Sequence, residues 1–156
     1  MTHEGDLEGS PSLLTRHGAV MNYLDPNRKI YVASRSHNGG LFLEQRRLGA
    51  KIISTWIDEW RPGQTSDMRE LWVRIQQEIE NSTDLVLYVP FSDSPWKGAF
   101  VEVGMAIALQ KPIIVTFNFD ASHKQEVSPE AHKIVGSWLS HPSVHICSTL
   151  KLALGL

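Results

Sequence analysis

Five short apolar runs alternate with stretches patterned for helices, and that alternation leaves few architectures open. The runs are KIYVAS (29–34), AKIISTWI (50–57), DLVLYVP (84–90), KPIIVTFN (111–118) and SVHICS (143–148). The third and fourth are apolar at successive positions, as a strand covered on both faces must be. Between the runs lie helical stretches, the first being GLFLEQRRLG (40–49). In 66–82, Met68, Leu71, Trp72, Ile75 and Ile79 recur at helical spacing and make one apolar stripe. Another helix covers 98–110 and stops at Pro112, which cannot continue the hydrogen-bond ladder. Ser128, Pro129 and Glu130 read as an N-cap, a first-turn proline and an acid matched to the helix dipole. They precede a predicted buried face of Ala131, Ile134, Val135, Trp138 and Leu139, and a short last helix follows Ser148.

Alternation of this kind predicts an α/β domain built on an open, doubly wound parallel sheet. With right-handed crossovers the expected fold is flavodoxin-like or Rossmann-like, five strands in the order 2-1-3-4-5. Such sheets bind ligands beyond the carboxyl ends of the strands, near the point where strand order reverses. The segments 34–40, 56–62, 90–98, the start of the 98–110 helix and 118–126 should therefore converge. At 156 residues and 42% apolar, the chain suits one domain with a real core. That domain is expected over 29–156. Residues 1–28 read as a loosely ordered leader or an oligomer contact, with GAVMNYLD (18–25) apolar enough to dock, on a neighbouring subunit for example.

Charge and composition remove several classes of function. A net charge of −2 with no basic stripe argues against a polymeric nucleic-acid partner. No apolar run approaches the roughly 20 residues a membrane span needs. Cys147 is the single cysteine, so an intrachain disulfide framework is ruled out. Glu4, Asp6 and Glu8 stand where a signal peptide would want positive charge, which leads us to expect a cytoplasmic protein. There is no CxxC, no HExxH and no GxSxG, so neither a metal, a cofactor nor a serine nucleophile is expected.

The stretch KGAFVEVGMAIALQKP (97–112) holds one carboxylate, Glu102, in an otherwise small or apolar helix. Placed in the first turn, it would be kept ionised by the helix dipole and could act as a nucleophile. The simpler reading is an exposed acid that only complements the dipole. The loop ASRSHNGG (33–40) offers Ser34, Arg35, Ser36, Asn38, Gly39 and Gly40 at a helix N-terminus, where backbone N–H groups can cradle an anion. It matches no established phosphate-loop pattern, so an ordinary turn remains open. In STWIDEW (54–60), Trp56 and Trp60 can stack on a flat ring or pack as core, and Asp58 can bind a hydroxyl or serve as an acid. In FSDSPWKG (91–98), Ser92, Asp93, Ser94 and Trp96 are the candidates closest to Glu102 in sequence.

Together, KIYVAS, the strand ending at Trp56, STDLVLYVP and GAFVEVGMAIALQKPIIV resemble the nucleoside 2-deoxyribosyltransferase family, which includes deoxynucleoside 5′-monophosphate N-glycosidases. The resemblance covers about 29–155. Its most specific part is Gly98, Glu102, Gly104 and Ala106 followed by Lys111 and Pro112. It implies that Glu102 attacks the anomeric carbon of a sugar and displaces the base, that Tyr31 orients it, and that Gly98 lies at the substrate. It also implies a small nucleoside or nucleotide as ligand and a homodimer or higher homo-oligomer. The family's aspartate eight residues before the acid opening the third strand is Gln76 here, counted back from Asp84. Acid–base work would then pass to Asp58 or Asp93. Hydrolysis and transfer to a second base both stay open. So do cleavage of a nicotinamide ribosidic bond and, as a different class, a non-catalytic nucleotide-binding or sensing module.

Overall fold

The structure is a computed structural model, and it describes residues 13–14, 20–124 and 131–156. The expected cap at Ser128, Pro129 and Glu130 and most of the 1–28 leader lie outside the described residues. A two-residue antiparallel pair comes first, β1 (Leu13–Leu14) with β2 (Val20–Met21). The main sheet is parallel, with β3 (Ile30–Ala33), β4 (Asp84–Tyr88), β5 (Ile113–Thr116) and β6 (Val144–Cys147) side by side in that order. Every residue of β3, β4 and β5 is buried, which accounts for their unbroken apolar runs.

The expected second strand is the main correction to the sheet. The run at 50–57 makes a single parallel bridge, Ile52 against Ile30, so among the described residues the sheet has four strands rather than five. Lys51 O accepts from Ile30 N at 2.8 Å and Ile53 N donates to Ile30 O at 2.9 Å. One step further on, the Ser54 hydroxyl accepts from Val32 N at 2.7 Å, in the place where a backbone carbonyl would continue the ladder. A side chain with its own acceptor competes with strand pairing in this way. The chain then turns at Trp56–Glu59 into a short 3₁₀ segment.

Among the described residues, five helices connect and cover the strands: α1 (Gly39–Arg47), α2 (Met68–Asn81), α3 (Lys97–Ala108), α4 (Ala131–Ile134) and α5 (Leu150–Ala153). Asp67 caps α2 by accepting from the Arg69 and Glu70 amides, and Thr149 caps α5 by accepting from Leu152. Helices lie on both faces of the sheet. Phe42 of α1 packs edge-to-face on Tyr88, while Glu102 of α3 meets Tyr31, which points to the opposite face. The helix expected after residue 130 is shorter than its apolar spacing suggests. It breaks at Gly136, whose φ of +132° few other residues adopt, and resumes as a 3₁₀ turn at Ser137–Ser140. That break leaves Ile134 exposed, while Ala131, Val135 and Leu139 are buried. Tyr23 is buried against the chain's own domain, and Arg28 is buried beside it in an ion pair with Asp84. Among the described residues, no helix is long and apolar enough to cross a membrane.

Candidate functional site

Beyond the carboxyl ends of β3 and β4 lies a cavity of about 450 Å³. Four parts of the chain line it: the loop Ser34, Arg35 and Ser36, the residue Trp56, the amino-terminal half of α2, and the entry into α3 from Pro95 to Glu102. The loop is braced across the sheet edge. Ser34 Oγ donates to Tyr88 O at 2.7 Å, and Asn38 Nδ2 donates both to Ser34 Oγ and to Asp93 Oδ2. Arg35 donates through Nη1 to the Asp93 carbonyl at 2.8 Å, which fixes its stem and leaves its charge without a carboxylate partner among the described residues.

The walls are aromatic. Trp56 is buried and donates through Nε1 to Val32 O at 2.8 Å. Trp96 is buried at the start of α3 and stacks obliquely on Phe100. Trp72, Met68, Leu71 and Ile75 of α2 make the facing wall. Periodicity marks such a stripe as core. Here its first two turns face an open cavity instead, and Met68 is 62% exposed.

Glu102 reaches into this cavity from the second turn of α3, since the helix begins at Lys97 and has no acid in its first turn. The dipole argument for a charged carboxylate is accordingly weak there. Burial dominates. Glu102 is 7% exposed, and loss of solvent raises its pKa to about 8. The Tyr31 hydroxyl pulls it down and the nearby Glu78 charge pushes it up. The reading of a side chain held ionised is thus corrected: at neutral pH the group is mostly protonated. Tyr31, fully buried beneath, has its own proton held well above the usual phenol range, by burial first and by Glu102 second. The two groups act on one another, yet among the described residues neither Tyr31 Oη nor Glu102 Oε2 has a hydrogen-bond partner of good geometry. Trp96 Nε1 is buried without a partner among the described residues as well.

The other expected site residues divide. Ser34, Arg35, Ser36, Trp56, Trp96 and Gly98 line the cavity with Glu102. Asp58 does not, because it pairs with Arg46 on the outer surface. Nor does Asp93, whose carboxylate is engaged by His37 and Asn38 and braces the loop. Ser94 is exposed beside the site, just before Pro95. Gly39 and Gly40 sit against Trp60, and a Cβ on Gly39 would come within 2.2 Å of it, so close packing explains this glycine without an anion. Gln76 is exposed and donates to Glu80 at 2.9 Å on the far side of α2.

Sequence reasoning missed Trp72, Lys97 and Glu78. Lys97 lines the cavity from the first position of α3. Glu78 is half-buried, and burial pushes its pKa up. It accepts from the Thr55 amide and hydroxyl, and Thr55 in turn accepts from Arg74 Nη1 at 2.6 Å. The available signal for Glu78 was its place three residues from Ile75 and four from Arg74, which puts all three near one helix face.

No family model matches the chain, and neither does any curated protein. Among solved structures the chain is similar to a CMP N-glycosidase, BcmB, from Clostridium botulinum. The TM-score is 0.44 at 16% identity, covering 80% of this chain and 92% of that one.

Proposed function

We propose that the protein cleaves the N-glycosidic bond of a small nucleotide, with Glu102 as the nucleophile. One observation carries the reading: among the described residues, the single carboxyl group lining an aromatic-walled cavity at the carboxyl edge of a parallel sheet is buried, lacks a well-formed partner at Oε2, and sits beside Tyr31. A flat base suits the space between Trp56, Trp72 and Trp96. A phosphate suits the Ser36, Arg35 and Lys97 side, where two cations carry no carboxylate partner among the described residues. In the reaction, an ionised Glu102 oxygen bonds to the anomeric carbon while the carbon–nitrogen bond breaks and its electron pair leaves with the base. Water then adds to that carbon and gives up a proton to the departed base, the glycosyl ester opens, and the carboxylate returns. The apolar wall strengthens attraction between the carboxylate and the positive charge developing on the sugar. The resemblance to the deoxyribosyltransferase family supports the same roles for Glu102 and Tyr31, and extends to a homo-oligomeric assembly.

Incubation with a panel of nucleosides and nucleoside monophosphates, with and without an acceptor base, separates hydrolysis from transfer. Glu102→Ala and Glu102→Gln are each expected to lower base release by about a thousandfold or more. Full activity in either variant would sink the mechanism. A second reading rests on the raised proton affinity of Glu102: held neutral, it donates a hydrogen bond to a bound base and the protein binds without cleaving. Tight nucleotide binding with no base release over hours would favour that reading.

A further inference from the structure

We infer that the substrate is a pyrophosphate-linked dinucleotide whose scissile base is already cationic, a pyridinium N-glycoside; the inference rests on the glycosidase reading and narrows its substrate class. The first reason is the leaving group. An ordinary purine or pyrimidine leaves as an anion unless an acid protonates it. Among the described residues lining the cavity, Glu102 is the only carboxyl group, and it is occupied as nucleophile. The acids expected for this work, Asp58 and Asp93, are held elsewhere by Arg46, His37 and Asn38. The remaining charged groups of the lining, Arg35 and Lys97, are cations, and an ammonium is a far weaker acid than a carboxyl group. A pyridinium needs no proton to depart. When its C1′–N bond breaks, the electron pair stays on the ring nitrogen and cancels the charge, while Glu102 oxygen takes the carbon. A cationic ring is also what the indole faces of the wall attract most strongly.

The second reason is room and charge beyond the sugar. A second chamber of about 220 Å³ adjoins the first and shares four of its walls, Ser36, Trp56, Met68 and Leu71. Arg61 stands in it, its guanidinium 5.6 Å from the Trp60 ring centre and without an ion pair among the described residues. Its position is set by a tight turn at Arg61, Pro62, Gly63 and Gln64. Gly63 takes φ +79°, Gln64 N donates to Arg61 O at 3.1 Å, and Gln64 Oε1 accepts from Arg61 N at 2.9 Å. Among the described residues the one acid of this chamber, Glu59, is neutralised by Arg74. A mononucleotide leaves this space and this charge unused. A pyrophosphate running past Arg35 and Ser36 toward Arg61 uses both, with the second nucleoside in the outer chamber.

Nicotinamide mononucleotide and NAD carry the same scissile bond and differ only in the extension, so they are the probes, with AMP as the neutral-base control. Nicotinamide release from NAD is expected to exceed that from the mononucleotide by about tenfold or more in kcat/KM. Arg61→Ala is expected to erase that advantage while leaving the mononucleotide within about twofold. Equal cleavage of the two pyridinium compounds, an equal loss on both in Arg61→Ala, or faster base release from AMP would each overturn the inference while the glycosidase reading stands. If none of the three is cleaved while another nucleotide of the panel is, this inference falls alone; if nothing in the panel is cleaved, the glycosidase reading falls. Quenching of tryptophan emission then reads the chamber independently, and NAD binding no tighter than the mononucleotide sinks this inference too.

Discussion

Glu102 and Tyr31 form a buried acid and phenol whose proton affinities depend on each other, which gives the residue scale a pH signature. A carboxyl group with a pKa near 8 is about one-tenth ionised at pH 7. If its ionised form attacks the sugar, kcat/KM rises with pH and levels off above about 8, and initial rates between pH 5.5 and 9.5 would reveal that limb. Tyr31 lowers the Glu102 value, so Tyr31→Phe is expected to move the limb to higher pH, with less activity at neutrality. A flat profile, or a limb unmoved by that change, would disconnect Glu102 from the rate. Stability has the opposite dependence. The folded protein holds a proton on Glu102 that the unfolded chain releases near pH 4.5, so the stabilisation from the neutral form is complete below that point. It is lost as pH rises to about 8. Glu102→Gln cannot ionise and escapes the loss. It is expected to match the parent in thermal unfolding at pH 4 and to exceed it by about 3–5 kcal/mol at pH 9.

At the scale of elements, the site depends on how α1 and the turn at 60–64 press together. Gly39 opens α1 directly against the Trp60 side chain, with 2.2 Å available for a Cβ. Gly39→Ala must displace Trp60, at a cost of about 1–3 kcal/mol in urea unfolding. Trp60 carries Arg61 and walls the outer chamber, so the same variant should weaken ligand binding there more than at Glu102. The elements themselves were largely legible. The stripe from Met68 to Ile79 within 66–82 placed α2 to within two residues, and the runs at 84–90 and 111–118 became β4 and β5. What the pattern could not give was the purpose of the stripe. Ile79 is buried in the core, while Met68, Leu71, Trp72 and Ile75 of the same stripe line the cavity. Helical periodicity reports which face is apolar, not what that face meets.

Across the whole molecule, a buried ion pair ties the segment before β3 to the start of β4. Arg28 donates through Nη2 to Asp84 Oδ2 at 2.6 Å and through Nη1 to Tyr23 O at 3.0 Å, with both side chains nearly inaccessible. Removing one partner strands the other charge, so Asp84→Ala is expected to lose about 3–5 kcal/mol in chemical denaturation. A double change to apolar residues, Arg28→Met with Asp84→Leu, should come closer to the parent than the single variant does. That anchorage was invisible to a boundary drawn at residue 29, because no local spacing relates Arg28 to a carboxylate 56 residues away. The chain by itself determined its alternation of parallel strands and helices, and the position of a lone acid in an apolar helix, since both are set by neighbours a few residues apart. Tertiary structure alone decided that Ser54 ends the pairing at 50–54, that Asp58, Asp93 and Gln76 find partners away from the cavity, and that Glu102 holds its proton. Each of these depends on which distant groups replace water around an atom, a sum over space that sequence order does not contain.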